Sequence, residues 1–246
     1  TGTGNFESVI VDTGLVTQSN LNTDPWGNDW VYEECSRNAT LEGLGVTIHH
    51  VVLFSRGPDG VIDSQTGGLE NFLTDAACAT NYTDWTAIGD DIGEKFSTFD
   101  IERNRVEITR QRLASIREGL GAYESSKFME AQSECLDGLP LSECDFNGDG
   151  TYEPGEETGY NFFPNSVNDT LATYYIPDGR LATGSEMASV SNSLADMQSL
   201  VTMFGLNDSF AVSPWGVSLC FESNRTGNTA PPFTAKVEYS ATCPTP

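Results

Sequence analysis

The stretch from Ile101 to Tyr123, IERNRVEITRQRLASIREGLGAY, constrains the fold most, because it predicts the longest and most regular helix in the chain. Its apolar positions recur at alternating steps of three and four residues, which places them on one side of a helix. These positions are Val106, Thr109, Leu113, Ile116, Leu120 and Tyr123. Another element must therefore cover that side. Gly121 and the polar residues from Glu124 onward are expected to end the helix.

The charge of the chain is strongly unbalanced, with 36 acidic residues and a net charge of -24. Five of the twelve basic residues lie on the predicted helix: Arg103, Arg105, Arg110, Arg112 and Arg117. They form either a solvated arginine face or a face that docks on acidic surfaces. The pI near 4.1 argues against nucleic acid and anionic membranes, because phosphates bind concentrated Lys and Arg. Cations are the expected partners.

Six cysteines form an even set without a Cys-x-x-Cys pair, and only two histidines accompany them. They are Cys35, Cys78, Cys135, Cys144, Cys220 and Cys243. This pattern favours disulfides in an oxidising compartment over a zinc site. The sequence does not choose the pairing, and we expect neighbour to pair with neighbour. No run of eighteen apolar residues predicts a membrane span, and TGTGNFESV lacks the features of a signal peptide.

Two strands are predicted in the first part of the chain. The turn TDPWGNDW leads into a strand that begins around Trp30, and VTIHHVVLF, residues 46–54, is the clearest strand. Its adjacent His49 and His50 point to opposite faces and cannot chelate one ion together. The following turn, SRGPDGVIDS, carries Asp59 and Asp63, which either hold a cation with backbone carbonyls or cap the turn.

Residues 64–100 read as a polar, irregular connector. A second helix is predicted later, with Ser185 as its N-cap and Gly205 at its C-terminal end. Its apolar face, expected to be core, comprises Met187, Val190, Leu194, Met197, Leu200, Val201 and Phe204. The strands VSLCFES and FTAKVEYSA then close the chain at Cys243.

The segment DFNGDGTYEPGE satisfies the spacing of a twelve-residue calcium loop. The predicted ligands are Asp145, Asn147, Asp149, the carbonyl of Thr151, Glu153 and Glu156. Gly150 occupies position six, where a sharp turn is needed. The alternative is an acidic, glycine-rich loop without an ion. Because the flanking residues look irregular, the pattern favours a structural calcium site over a sensor.

An internal repeat links the two ends of the chain, because DPWGNDWVYEE at Asp24 matches SPWGVSLCFES at Ser213. A duplication predicts that Trp26 and Trp215 take equivalent, mostly buried positions. DPWGNDWVYEE, the next strand and SRGPDG together resemble the C-terminal half of type IV pilins and of the major pseudopilins of type II secretion. TRQRLASIREGLGAY resembles the solvent-side half of the long pilin helix.

The resemblance implies an α+β fold of two pilin-like modules, each a small antiparallel sheet, packed on a central amphipathic helix. Residues 1–95 would form a module lacking its own long helix. Residues 96–246 would hold the helix 101–123, the calcium loop 145–156 and the C-terminal sheet. Any cation site carried over from the family applies only to Gly57–Asp63. The hydrophobic half of the pilin helix has no counterpart, which fits a soluble portion or a split pilin.

The expected function is that of a structural globular subunit of an extracellular type IV pilus-like filament or a periplasmic pseudopilus, fixed by calcium and disulfides. Its partners would be other subunits and a separate hydrophobic helical chain. The alternative is a calcium-dependent extracellular binding module for a glycan or protein. Exposed aromatic residues beside a calcium loop would favour the binding module. No nucleophile elbow, HExxH or P-loop motif indicates an enzyme.

Overall fold

The computed structural model describes residues 23–64, 75–136, 192–223 and 234–240, and shorter pieces at 150–151, 153, 161–164, 175–176, 180–181 and 243. The fold is α+β, as predicted. The strands are β1 Val31–Leu41, β2 Leu44–Ser55, β3 Ile92–Ser97, β4 Tyr175–Ile176, β5 Arg180–Leu181, β6 Cys220–Ser223 and β7 Ala235–Glu238. The helices are α1 Asp75–Asp84, α2 Phe99–Leu136 and α3 Leu194–Met203, with a 3-10 helix at Asp208–Ala211. Two compact units divide the chain, Thr1–Val106 and Glu107–Pro246.

The first unit contains a three-stranded antiparallel sheet in the order β1-β2-β3. The predicted start of β1 is confirmed, but the polar residues after it continue the strand. Every residue of β1 is paired with β2, ending with Leu41 opposite Leu44. Glu42 and Gly43 join the strands with φ values of 50° and 89°, the two positive values that a tight hairpin turn requires.

The core of the first unit lies between one face of this sheet and helix α1. Alternate residues of β2 are buried, and Phe54 packs against Trp85 with ring centroids 5.6 Å apart. A disulfide ties Cys35 of β1 to Cys78 of α1. The prediction of an irregular connector at residues 64–100 is therefore wrong, because α1 and β3 both lie within it. Short elements with mixed polarity give no clear period in the sequence.

The predicted long helix is confirmed, but it extends beyond both predicted ends, from Phe99 to Leu136. The prediction that Gly121 ends it is wrong. A glycine inside a helix costs only about 1 kcal/mol relative to alanine, and no proline follows within the helix. Burial also continues past the glycine, since Ala131 is fully buried and Phe128 packs edge-on against Phe162 at 5.5 Å.

The second unit buries the apolar side of α2 against α3 and the β6-β7 sheet. Its core comprises Leu113, Ile116, Leu120, Met197, Leu200, Val201, Ala211, Leu219, Phe221 and Val237. Helix α3 has Ser193 as its N-cap, which accepts a hydrogen bond from Asp196 N at 3.2 Å, and the predicted cap Ser185 lies outside the described residues. The predicted C-terminal Gly205 is confirmed, with φ of 73° and the Leu206 N–H bonded to Val201 O.

Several arginines of α2 bind groups of the same chain. In the second unit, the Arg112 guanidinium donates to the Val212 carbonyl, and Arg117 Nη2 donates to Val237 O at 3.5 Å. In the first unit, Arg105 pairs with Glu102 at 2.7 Å. These contacts fit neither a purely solvated face nor a face held free for docking.

The two Pro-Trp-Gly turns share one backbone pattern. Asp24 N donates to Asn28 O and Ser213 N donates to Val217 O, and each turn closes through the N–H of its glycine. The prediction that both tryptophans are mostly buried is wrong for Trp26, which is 45% exposed, whereas Trp215 is only partly exposed. The buried residue of each turn is its first one, Asp24 or Ser213, whose side-chain oxygen accepts backbone N–H groups. The two copies of the repeat therefore share a turn in which the first side chain is buried and accepts backbone hydrogen bonds.

Neighbouring cysteines pair in both disulfides that lie within the described residues, Cys35–Cys78 and Cys220–Cys243, as expected. Cys135 is also disulfide-bonded, while Cys144 lies outside the described residues. Among the helices of the described ranges, none combines the length and apolar character needed to span a bilayer.

The two methionines of α3 provide a test of the second core. Met197 is fully buried, whereas Met203 is 52% exposed on the same helix. Met197→Ala should lower the free energy of unfolding by about 2 to 5 kcal/mol, because a large buried side chain leaves a cavity. Met203→Ala should change it by less than about 0.5 kcal/mol. Urea denaturation measures both, and equal effects would contradict this packing.

Candidate metal centre

The first Pro-Trp-Gly turn is fastened to the loop that follows β2. Asp24 Oδ2 accepts a hydrogen bond from Ser55 Oγ at 2.5 Å, and Asp24 Oδ1 accepts those of Trp26 N and Asn28 N. Asn28 Nδ2 donates to Gly57 O at 2.8 Å. These bonds to the charged form lower the pKa of Asp24 although burial opposes them. The end of β2 is therefore held in place by side-chain contacts.

The loop after β2 turns at the sequence GPDG. Both of its glycines have positive φ, 67° at Gly57 and 70° at Gly60. Between them, Asp59 Oδ1 accepts a hydrogen bond from Val61 N at 2.8 Å, which caps the turn. The capping role predicted as one alternative for Asp59 is therefore present, and its other carboxylate oxygen is not used in that bond.

A second loop, residues 88–91, packs against the first. Asp91 Oδ2 accepts hydrogen bonds from Asp63 N at 3.0 Å and Ser64 N at 2.6 Å. Ser64 Oγ accepts one from Ile88 N at 3.1 Å. The buried Asp91 carboxylate thus joins two loops that are far apart in sequence, and this contact brings Asp90 to the GPDG loop.

Three aspartates meet where the two loops join. Asp59, Asp63 and Asp90 each offer one carboxylate oxygen, and these oxygens lie within 4.8 Å of one another. Calcium binds oxygen ligands at about 2.3 to 2.6 Å, so oxygens around one ion are separated by up to roughly 5 Å. The cluster has the spacing and chemistry to hold a metal ion.

Two further features of these loops bear on the site. Asp91 is 6% exposed, and its Oδ1 has no hydrogen-bond partner within the described ranges, although buried polar atoms are almost always paired. A side chain would also not fit at Gly57, where a Cβ would lie 2.5 Å from Asp90 Oδ2, or at Gly89, where it would collide with Asp63. Glycine at both positions lets the carboxylates converge.

The charged form of Asp63 is disfavoured by its surroundings. Desolvation raises the pKa of Asp63, and the negative charges of Asp59 and Asp90 raise it further. A side-chain hydrogen bond from Asp63 to Asp90 contributes in the same direction. A bound divalent cation would reverse this effect by stabilising the charged carboxylates.

The sequence predicted part of this site. Asp59 and Asp63 were proposed as cation ligands, and the structure places them together; Asp90 was not predicted, because it lies beyond α1 in the stretch taken for a connector. The only sequence signal was the acidic pair Asp90-Asp91 between two glycines.

The predicted calcium loop 145–156 lies mostly outside the described residues, which include only Gly150, Thr151 and Glu153. Gly150 has a φ of 89°, the left-handed conformation that position six needs. The remaining ligands predicted there, Asp145, Asn147, Asp149 and Glu156, are not among the described residues. This second site stays a prediction.

The repulsion within the cluster predicts a pH dependence in EDTA. Because the folded-state pKa of Asp63 is raised, its charge destabilises the fold above that pKa, and the cost disappears as the pH falls through it. Asp63→Asn should therefore be more stable than the wild type at pH 8, by a margin that shrinks toward pH 4.

Urea denaturation across this pH range measures that margin. Asp29→Asn is the matched control, because Asp29 is exposed near the same turn and outside the cluster. A margin that does not change with pH, or an equal margin for the control, would contradict the proposed repulsion.

Comparison of the chain with protein-family models, with curated proteins and with solved structures finds no match. The function is therefore argued from the residues and their geometry. The carboxylate cluster of Asp59, Asp63 and Asp90 is the feature with the most specific chemistry in the described part of the chain.

Proposed function

We propose that this chain is a globular subunit of an extracellular pilin-like filament, a pilus or a pseudopilus, whose loops are fixed by calcium and disulfides. The observation that carries the proposal is the hydrogen-bonded contact between the DPWG turn and the GPDG loop. Asn28 links the two, and the loop presents Asp59 and Asp63 to Asp90. The resemblance to pilins led us to expect a cation site within Gly57–Asp63, and the cluster supports that expectation.

The second unit supports the proposal through its architecture. One side of the long helix α2 is buried against the small antiparallel β6-β7 sheet, as in the arrangement that the resemblance implies. Disulfides Cys35–Cys78 and Cys220–Cys243 fit an exported protein, because such bonds persist in oxidising compartments.

Calcium is the proposed ion because all candidate ligands are oxygens from carboxylates and backbone. Hard oxygen ligands on irregular loops suit calcium, which accepts variable geometry, better than magnesium, which requires a near-ideal octahedron. The chain's net charge of -24 also favours cation binding in general.

A specific observation favours the second candidate, a calcium-dependent binding module. Trp26 is 45% exposed on the turn that contacts the GPDG loop. Three aliphatic side chains next to the cluster residues are also exposed: Val61 at 55%, Ile88 at 43% and Ile92 at 60%. Exposed apolar side chains beside a cation site are typical of a surface that binds a ligand or partner.

The calcium proposal predicts a rise in the melting temperature of the wild type. A ligand that binds only the folded state stabilises it by about 2.7 kcal/mol at a concentration 100-fold above its Kd. Asp63→Asn with Asp90→Asn should remove the contribution of the cluster, and Asp145→Ala with Glu156→Ala that of the predicted loop. Differential scanning calorimetry with and without calcium measures each contribution.

Asp29→Asn should keep the full response and serves as the control. An unchanged response in the first double variant would exclude the cluster as the calcium site. An unchanged response in the chain carrying all four substitutions would contradict the calcium proposal altogether.

The filament proposal predicts that the isolated 246-residue chain stays monomeric, even with calcium. The net charge of -24 drives copies apart, and surface ion pairs contribute only about 0 to 1 kcal/mol each. An apolar helix bundle, from the precursor or from a separate chain, would supply the adhesion at roughly 25 cal/mol per Å² buried.

Analytical ultracentrifugation of the purified chain, with mass spectrometry of filaments from cells, tests this proposal. We expect a monomer in the first experiment and a hydrophobic helical component in the second. Fibres formed by this chain alone would contradict the proposal that a separate hydrophobic helix holds the filament together. Absence of the chain from native filaments, together with retention on a glycan or protein array only in calcium, would favour the binding module.

A further inference from the structure

The two adjacent histidines of β2 lie in opposite environments, as their alternation along the strand predicts. His49 is exposed, and its Nδ1 lies 2.8 Å from Glu34 Oε1. His50 is 5% exposed, and neither of its ring nitrogens has a hydrogen-bond partner within the described ranges. A buried imidazole without partners is uncommon, because buried polar atoms are nearly always paired.

Helix α1 covers the His50 ring. Tyr82 of α1 packs against it with ring centroids 4.5 Å apart. In the β1-β2 register, Cys35 lies directly opposite His50, and its disulfide to Cys78 tethers the same helix. His50 is therefore part of the contact between α1 and the sheet, next to a covalent tether that does not depend on it.

The last turn of α1 is held by a lysine from β3. Lys95 Nζ donates to Tyr82 O at 3.1 Å and to Thr83 O at 3.0 Å, and it lies 5.3 Å from the centroid of the Tyr82 ring. These contacts place a positive charge beside the tyrosine that packs against His50.

The charged groups around His50 are mostly cationic. On β1, Arg37 and Glu33 lie on the same face of the sheet as Cys35, the residue opposite His50. His49 is adjacent on β2, and Lys95 of β3 contacts α1. The exposed Asp84 is the last residue of α1. Burial lowers the pKa of His50, and the charges of Arg37 and His49 lower it further. Glu33 and Asp84 do not hydrogen-bond to the ring, so an imidazolium there would have two N–H donors and no acceptor.

We infer that His50 is an acid-sensitive latch for helix α1: its protonation loosens the helix from the sheet while the Cys35–Cys78 disulfide keeps the helix tethered. Loosening α1 lets the imidazolium reach water, which removes the cost of a buried unpaired charge. We expect the loosening to be greatest at α1, because Tyr82 of that helix packs on the ring.

The direction of the pH effect follows from linkage. The folded-state pKa of His50 lies below that of an exposed histidine, so neutral His50 supports docking of α1 at pH above the ordinary value. As the pH falls below about 6.5, the released state binds the proton more tightly than the docked state. The population of the released state then rises up to tenfold for each pH unit, until the lowered pKa is reached.

Amide hydrogen exchange of the full chain between pH 7.5 and pH 5, with calcium held constant, tests the latch. After correction for the chemical exchange rate, the amides of α1 should exchange faster at pH 5 than at pH 7.5 in the wild type, by up to tenfold for each pH unit below about 6.5. His50→Phe, which keeps a ring against Tyr82 but cannot be protonated, should abolish the change. His49→Phe is the matched control and should retain most of the change, losing only the part that the charge of His49 contributes.

Acceleration in His50→Phe equal to that of the wild type, no acceleration in the wild type, or acceleration spread evenly over the first unit would each overturn the latch. If His50→Phe does not fold, NMR titration of the two wild-type imidazoles gives the answer. His50 must titrate below the ordinary range, together with changes at Tyr82. An ordinary or raised pKa for His50 would overturn the proposal.

Discussion

The repulsion between three carboxylates is the constraint on which the described loops of the first unit depend. A chain with a net charge of -24 brings Asp59, Asp63 and Asp90 within 4.8 Å of one another. Other contacts hold both loops in this arrangement: Asp91 bridges them, and Asn28 fastens one of them to the Pro-Trp-Gly turn. A bound cation would convert this repulsion into attraction.

The structure contains the elements that were predicted from a regular spacing of apolar residues, whereas elements without such a spacing were not predicted. The apolar side of α2 and the run of β2 repeat at helical or strand spacing over enough residues to be recognised. Helix α1 and strand β3 have mixed polarity, and the disulfide Cys35–Cys78 and the pairing with β2 hold them in place. Such tertiary contacts leave no periodic signal in the sequence, and the same reason explains the wrong end of α2 at Gly121.

The candidate site was half predicted, because its residues come from two loops. Asp59 and Asp63 belong to one turn whose sequence already indicated a cation, whereas Asp90 reaches them only through the fold. The tryptophan prediction failed for a related reason. A large aromatic residue at a repeated turn suggests a core residue, but the backbone N–H groups of the turn need an acceptor, so Asp24 occupies the buried position and Trp26 points outward.

The central claim is that the cluster binds a divalent cation, and a calcium titration followed by two-dimensional NMR tests it most directly. We expect the amides of residues 57–64 and 88–91 to shift together with a single apparent Kd, because both loops contribute ligands to one ion. The amide of Asp29, an exposed residue near the same turn and outside the cluster, provides an internal reference. Shifts confined to residues 145–156, or no shifts in either of the two loops at millimolar calcium, would contradict the account.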